Sequence, residues 1–383
     1  MNYILLTIRK VFSIKKIVIN IAVFILNVLY LPFKCFKTKN KITYISRQSN
    51  TPSIDFILLK SKMAQIDKSL IQVMLTKKIG TGILGKLNYG IHTFIQMYHI
   101  ATSKVVIVDT YIIPVSVLKH KKSLKVIQIW HALGAIKKFG YQVIGKKEGS
   151  SKVVADAMKM HKNYDVVTCS SSVTAKFYSE AFNIDIDKIK IIGMPRVDDI
   201  LGPNRNKEIQ KLNPEYSGKK TIIYIPTFRK GEQVNVKDII DSVNHEKYNL
   251  IIRLHPLDDT KVEEKYTTKG KFSTYDMIKF ADYIITDYSA TAIEASLLQK
   301  PLFLYVYDID NYSENRGLNI VLTEELKNST SRNIKDILDI IENDTYDYTE
   351  LEQFRNKYVQ TYKENNTENI CNVIKDFLKN QQE

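Results

Sequence analysis

Residues 281–306, ADYIITDYSATAIEASLLQKPLFLYV, decide the architecture. Two short runs, DYIITD (282–287) and PLFLYV (301–306), are apolar without alternation and flank a helical stretch. A strand lacking in/out alternation is buried on both faces, and strand–helix–strand with such strands marks a parallel sheet. Working outward, TIIYIP (221–226) and NLIIRL (249–254) belong to the same series. Upstream lie ITYIS (42–46), SLIQVML (69–75), KVVIVD (104–109), KVIQIW (125–130), DVVTCS (165–170) and KIKIIG (188–193). Helical stretches such as Asp55 to Ala64 and Ser172 to Ala181 separate them.

Between the two series the polar stretch GPNRNKEIQKLNPEYSGKK (202–220) breaks the rhythm and reads as an interdomain connection. A chain of 383 residues is long enough for two domains with separate cores. The expectation is therefore an α/β protein of two Rossmann-like domains facing a cleft, at residues 42–205 and 206–346. A helical segment of mixed charge, 347–383, follows. An apolar share of 44% with 25% charged residues excludes intrinsic disorder and a polytopic membrane protein. Cys35, Cys169 and Cys371 have no paired spacing, which supports neither a disulfide framework nor a zinc module. A reducing, cytoplasmic setting fits best.

The net charge of +15 is unevenly placed. Residues 1–41 carry Arg9, Lys10, Lys15, Lys16, Lys34, Lys37, Lys39 and Lys41 and no acid; the first carboxylate is Asp55. Within them IVINIAVFILNVLYLPF (17–33) is apolar apart from Asn20 and Asn27, at the lower limit for a span of about 17–25 residues. Basic residues at both ends give no orientation, and no small-residue cleavage site precedes FKCFKTKNK. The expectation is a helix lying in or dipping into an anionic bilayer surface, on the cytoplasmic side. A buried core helix with a basic rim is the competing reading.

Motifs fall just past strand C-termini, where an open α/β sheet carries its ligands. His131 follows KVIQIW and opens a small-residue turn that ends at Gly140. Its side chain suits proton transfer near neutrality, or it satisfies a strand-end carbonyl. Past later strands come Thr227 and Arg229, then Arg253 and His255, then Asp287, Ser289 and Thr291. Hydroxyls at a helix start favour an anion, although the same residues also serve as ordinary N-caps. There is no P-loop lysine motif, no GxGxxG, no DxD pair and no His/Cys cluster, so phosphate chemistry without metal or cofactor is expected.

The ordered set IWHALGAIKKFG, IIGMPRVD, IYIPTFR, IIRLHP and ADYIITDYSATAIEASLLQKPLFLYVYDIDNYSENRGL resembles the CDP-glycerol glycerophosphotransferase family, the teichoic acid primases and polymerases of Gram-positive bacteria. The resemblance runs from about residue 42 to the C-terminus. It implies a GT-B-type arrangement of the two domains, membrane association and a CDP-activated polyol phosphate held by the C-terminal domain. On this resemblance His131 matches the histidine of His-Gly-Thr, the expected base, and Arg196 the arginine of Gly-Tyr-Pro-Arg. Pro226, Thr227 and Arg229 match Pro-Thr-Phe-Arg, and Arg253 and His255 match Arg-Leu-His-Pro. Ser289, Ala290 and Glu294 fall in Thr-Asp-Tyr-Ser-Ser-x-x-x-Asp, beside Thr291. Three departures stand out: Ala132-Leu133 for Gly-Thr, Ala290 for the second serine and Glu294 for aspartate.

The implied reaction is in-line attack of an acceptor hydroxyl on the β-phosphorus of CDP-glycerol, with CMP leaving. His131 takes the proton, while Arg229, Arg253, His255, Ser289 and Thr291 hold the diphosphate. The implied partners are CDP-glycerol or CDP-ribitol, a polyprenyl-diphosphate-linked saccharide or polyol-phosphate acceptor, and an anionic membrane surface. A CMP-sugar glycosyltransferase is the rival enzyme, and WHALGAIKKFG and ENRGL argue against it. A nucleic-acid-binding protein is the rival from another class, and the basic excess beside an apolar helix argues against that.

Overall fold

The computed structural model describes residues 2–146, 149–229, 233–310 and 317–379, with side chains from residue 14 onward. The chain divides into two compact units. Among the described residues, unit 1 holds 2–132, 138–195 and 363–379, and unit 2 holds 133–137 and 196–362.

Unit 1 is built on six parallel strands: β1 (Lys41–Ser46), β2 (Ile71–Thr76), β3 (Val105–Val108), β4 (Lys125–Gln128), β5 (Val166–Cys169) and β6 (Ile189–Ile191). Their order is β2-β1-β3-β4-β5-β6. From β1 the chain first moves to one side and then returns to lay β3 on the other, Ile42 standing opposite both Gln72 and Val105. That reversal makes the β1/β3 edge the topological switch point, and the strand ends there face the ligand crevice of this class of sheet.

Unit 2 adds β7 (Lys220–Tyr224), β8 (Tyr248–Ile252), β9 (Tyr283–Thr286), β10 (Leu302–Tyr305) and the two-residue β11 (Thr330–Ser331), in the order β11-β10-β9-β7-β8. Its reversal falls between β7 and β9, which pair in parallel with Ile222 opposite Tyr283. Every strand read from the sequence is present within one or two residues of its expected bounds. The edge strand β11 is the addition; two residues carry too little pattern to announce a strand.

Each sheet has its own core. Ile42, Tyr44, Phe56, Leu59, Ile107 and Ile127 cluster in unit 1; Ile222, Tyr224, Leu250, Ile285, Phe303 and Ile337 cluster in unit 2. Several helices start where a side chain accepts from an unpaired amide. Ser53 accepts from Phe56 N and Ser171 from Thr174 N, while Ser273 and Asp276 form a capping box.

The division differs from the sequence expectation in three places. Residues 133–137, expected in the first domain, belong to unit 2, and the main part of unit 2 begins at Arg196, not 206. Buried Lys279 donates to the carbonyls of Asp199 and Pro203, and Arg205 stacks over Phe272, so 196–205 is fastened to unit 2. The stretch 202–220 is not bare linker either; it folds into the helix Asn206–Leu212 and a short turn at Pro214–Tyr216. The C-terminal segment also divides. Helix Tyr348–Tyr358 stays with unit 2, whereas helix Asn366–Lys379 returns to unit 1 and buries Ile370, Cys371 and Ile374 beside Ile42 and Phe56. An apolar stripe at helical spacing lay under its mixed charges.

The N-terminal helix runs Asn2–Lys34, and its stretch Ile14–Lys34 is long and apolar enough to cross a membrane. Ile17, Val18, Ile21, Phe24 and Ile25 are all exposed. Asn27, which interrupts the apolar run, is spent on docking the helix within unit 1. Its Nδ2 donates to Val117 O (3.1 Å) and its Oδ1 accepts from Lys119 N (2.8 Å). Tyr30 is buried nearby, 3.2 Å from His120 Nδ1.

Tyr111, Trp130, Tyr164 and Phe182 pack around His161, with Phe139 and Tyr178 against Phe182. Burial, helped by the Arg47 charge, pushes the His161 imidazolium pKa down to about 3. The native chain thus holds His161 neutral, whereas the unfolded chain protonates it near 6.5. Stability contributed in this way is complete above about pH 6.5 and is lost as pH falls towards 3, because there the unfolded state binds the extra proton. Urea unfolding of unit 1 between pH 7.5 and 4.5 should show a fall of a few kcal/mol, shallower in His161→Asn, which keeps the left-handed backbone at φ 59°. Parallel pH slopes in the two proteins would remove His161 as the cause.

Candidate active site

In unit 1, β4 ends at Gln128 and the chain turns sharply at Trp130, whose φ of 57° is uncommon for a bulky residue. Two contacts hold this backbone. Trp130 N donates to Gln128 Oε1 (2.9 Å), and the indole stacks on Phe139 with centroids 4.5 Å apart. The turn swings His131 across the end of β3, where Nδ1 lies 2.9 Å from the carbonyl oxygen of Asp109. A carbonyl can only accept, so Nδ1 carries the proton of the neutral ring and Nε2 is the basic nitrogen. Of the two sequence readings, the geometry shows one nitrogen at a strand-end carbonyl, an arrangement that leaves the other outside that bond and basic.

The motif ends at Gly140, with φ 56°. A Cβ there would run into the carbonyl oxygen of Ala181, so no other residue fits the turn. Residues 133–137 belong to unit 2, where Asn319 N donates to Ile136 O (2.8 Å) and Lys137 bridges Leu318.

In unit 2 the ends of β7, β8 and β9 carry most of the remaining candidates. His255 is exposed beyond β8, and its ring lies 5.5 Å from that of Phe228. Leu257 N donates to its Nδ1 (3.2 Å), which leaves the proton on Nε2. His255 is thus poised as a donor, the opposite tautomer to His131. Ser289 Oγ donates to Thr291 Oγ1 (3.0 Å) and accepts from Thr291 N (3.2 Å). Ala290 is the cap residue of the short helix Thr291–Ser296.

The arginines are placed differently from expectation. Arg229 is buried, and its guanidinium is consumed by carboxylates: Nε and Nη2 donate to Asp308 (2.6 and 3.0 Å) and Nη1 to Asp287 (2.9 Å). Asp287 is fully buried and also accepts from Thr227 N and Thr227 Oγ1. Tyr288 closes the cluster on Asp308 (3.3 Å); burial and the two carboxylates hold its hydroxyl protonated far above the usual range. Arg229 and Thr227 therefore tie three strand ends together, and Pro226 is buried just before them. Arg253 holds Thr274 Oγ1 (3.2 Å) and Phe272 O (2.6 Å). Arg196 and Glu294, both buried, pair at 2.9 Å and share Tyr275. Arg229 and Arg253, expected on the diphosphate, and Arg196, expected to bind substrate, all make bonds inside the unit. An extended loop end buries its cation beside the nearest carboxylate, and spacing along the chain does not reveal which one that is.

Asp308 and Tyr275 were not singled out from the sequence. Asp308 lies two residues beyond Val306, the end of its apolar run, and other site residues also lie just past strand ends, so position was the available signal. Among the described residues no group of three His, Cys, Asp or Glu could hold a metal ion.

Comparison with known proteins places this geometry in a class. The CDP-glycerol:poly(glycerophosphate) glycerophosphotransferase family matches residues 28–376. The chain belongs to that family and is a transferase. The teichoic acid ribitol-phosphate primase of Bacillus spizizenii is 29% identical over 88% of this chain and 92% of its own. The teichoic acid glycerol-phosphate primase of Bacillus subtilis is 28% identical over 75% of this chain and 77% of its own. In fold the chain is similar to the wall teichoic acid polymerase TagF solved with CDPG, with a TM-score of 0.73, 18% identity and coverage of 97% and 98%. Its place is among the polyol-phosphate transferases of teichoic acid synthesis.

Proposed function

We propose that the protein transfers glycerol phosphate from CDP-glycerol to a hydroxyl of a lipid-linked acceptor at the cytoplasmic face of the membrane. The acceptor oxygen forms a bond to the β-phosphorus, the bond from that phosphorus to the bridging oxygen breaks, and CMP leaves with the electron pair. The acceptor's proton goes to His131 Nε2. His255 Nε2–H, with the hydroxyls of Ser289 and Thr291, hydrogen-bonds the diphosphate as charge moves onto the leaving oxygen. Arg229, Thr227 and Arg253 keep the surrounding loops in place, Pro226 and Ala290 shape their turns, and the Arg196–Glu294 pair supports the helix behind Ser289.

The observation that carries this reading is the pair of opposite tautomers within a chain of this family. One histidine is set to take a proton and the other to give a hydrogen bond. Residues 1–41 supply the tether, combining basic charge and apolar surface as stable interfacial anchoring requires.

A second reading, CDP-ribitol as donor, is favoured by the similarity to the ribitol-phosphate primase, which spans 88% of the chain. Membrane-bound enzyme incubated with CDP-glycerol, CDP-ribitol or CMP-sialic acid and a polyprenyl-diphosphate-linked acceptor separates the cases by CMP release. The expected result is release from CDP-glycerol, reduced at least about 100-fold by His255→Ala. Turnover confined to CDP-ribitol would establish the second reading, and turnover with CMP-sialic acid alone would overturn both.

A further inference from the structure

One guanidinium in unit 1 stands without a polar partner. Arg47 is half-buried just past β1, at the β1/β3 switch point, with Cζ 5.4 Å from the centre of the Tyr111 ring. Its guanidinium makes no hydrogen bond or ion pair among the described residues. The other described arginines all do: Arg196, Arg205, Arg229, Arg332 and Arg355 meet carboxylates, and Arg253 meets Thr274 and Phe272 O. The surroundings hold Arg47 in place. Gln48 N donates to Ser46 Oγ (3.1 Å), Lys77 N to Ser46 O (3.1 Å) and Lys78 N to Asn50 Oδ1 (2.9 Å), which fastens its loop to the end of β2. Tyr111 is fixed in turn, its hydroxyl donating to Met158 O (2.9 Å) and its ring packing on His161. A half-buried guanidinium laid on a fixed ring has given up part of its hydration and keeps its N–H edge open. That arrangement suits bidentate bonds to a phosphate.

Topology says which phosphate. Ile45 pairs with Val108 and Val108 with Gln128, so Arg47 and His131 leave the strands on either side of β3. Two strand spacings are about 10 Å, and the bond to Asp109 O draws His131 back over the end of β3. A phosphate on Arg47 therefore stands about one polyol away from a hydroxyl at His131 Nε2. In an acceptor that ends in a saccharide the lipid diphosphate lies beyond the sugar, farther off than that.

We propose that Arg47, laid on Tyr111, is a specificity-determining residue that binds the phosphodiester of an acceptor already ending in a polyol phosphate. Such an acceptor must come from an earlier phosphotransfer of the same class. The proposal deepens the function above and rests on it; a binding measurement that needs no turnover keeps the two separable.

The test uses the full chain in nonionic detergent and two short-chain polyprenyl-diphosphate-linked saccharides, one bare and one carrying a single glycerol phosphate. Both contain the lipid diphosphate, so only the terminal phosphate differs. The wild-type protein should prefer the second acceptor in CMP release from CDP-glycerol. Arg47→Ala should lower that preference by about 10–100-fold, through KM and not kcat, the loss of a hydrogen-bonded charge. Thermal unfolding should not move, because no ion pair is lost. Arg47→Lys keeps the charge without the fork and should recover only part of the preference. With no donor present, the glycerol-phosphate acceptor should perturb the fluorescence of Trp130, the chain's one tryptophan, whose ring lies 4.2 Å from that of His131. The concentration needed should rise by the same factor in Arg47→Ala. Equal losses on the two acceptors would overturn the proposal in favour of the lipid diphosphate, and a raised KM for CDP-glycerol would overturn it in favour of the donor. Wild-type protein that does not distinguish the two acceptors would overturn it as well. Acceptor binding that depends on Arg47, with no CMP released from either CDP-polyol, would leave the site standing and overturn the functional reading instead.

Discussion

Replacing His131 with alanine is expected to lower CMP release by about 10²–10⁴-fold, the range of a lost general base. The expectation rests on one hydrogen bond. With Nδ1 committed to the Asp109 carbonyl, the imidazole can accept a proton only at Nε2, and it reaches that orientation through the left-handed turn at Trp130. Stability should change little, since the ring is only half-buried and the Asp109 carbonyl it serves can be served by water instead. His131→Gln keeps a donor for Asp109 but no base, and should be as inactive as the alanine variant. Near-wild-type turnover in His131→Gln would show that the ring positions the loop and does not move the proton.

Arg229→Ala is expected to act on folding rather than on donor affinity. The guanidinium lies between Asp287 and Asp308, and removing it leaves the buried Asp287 carboxylate and the partly buried Asp308 carboxylate without their shared cation. Breaking a buried pair in this way costs about 3–5 kcal/mol. At roughly 2–4 °C per kcal/mol for a unit of this size, the midpoint of unit 2 should fall by on the order of 10 °C. Lysine cannot reproduce the fork that spans Asp287 and Asp308, so Arg229→Lys should recover only part of the loss. Differential scanning calorimetry of both variants, with CDP titrated into each, decides between the roles. An unchanged midpoint with weakened CDP binding would return Arg229 to the donor site that its sequence motif first suggested.

The two histidines show how far a motif reaches. That His131 and His255 stand at strand C-termini could be read from apolar runs ending in WH and RLHP, because a parallel strand exposes only its ends. Which nitrogen of each ring carries the proton could not. Asp109 is 22 residues from His131 along the chain, and Leu257 constrains His255 through a turn that only the folded backbone forms. The arginines mark the opposite case. Their motif resembled a diphosphate site, but Asp308, 79 residues from Arg229, claims its guanidinium once β7, β9 and β10 lie side by side.

Local pattern by itself determined ten of the strands, the parallel class of both sheets and the basic, apolar N-terminus, because these depend on side-chain type over a few neighbouring residues. Tertiary structure alone decided matters that depend on which distant surfaces meet. The C-terminal helix Asn366–Lys379 joins unit 1 because the core of β1 offered its apolar stripe a place to be buried. Asn27 docks a helix where composition suggested only an interruption. Helix Gly82–Thr102 shows the limit most plainly. Its apolar stripe of Ile83, Leu84, Leu87 and Ile91 is written in the chain. Whether a helix turns such a stripe inward or outward is settled by what packs against its other face, and here the stripe is exposed while His92 and Gln96 went inside.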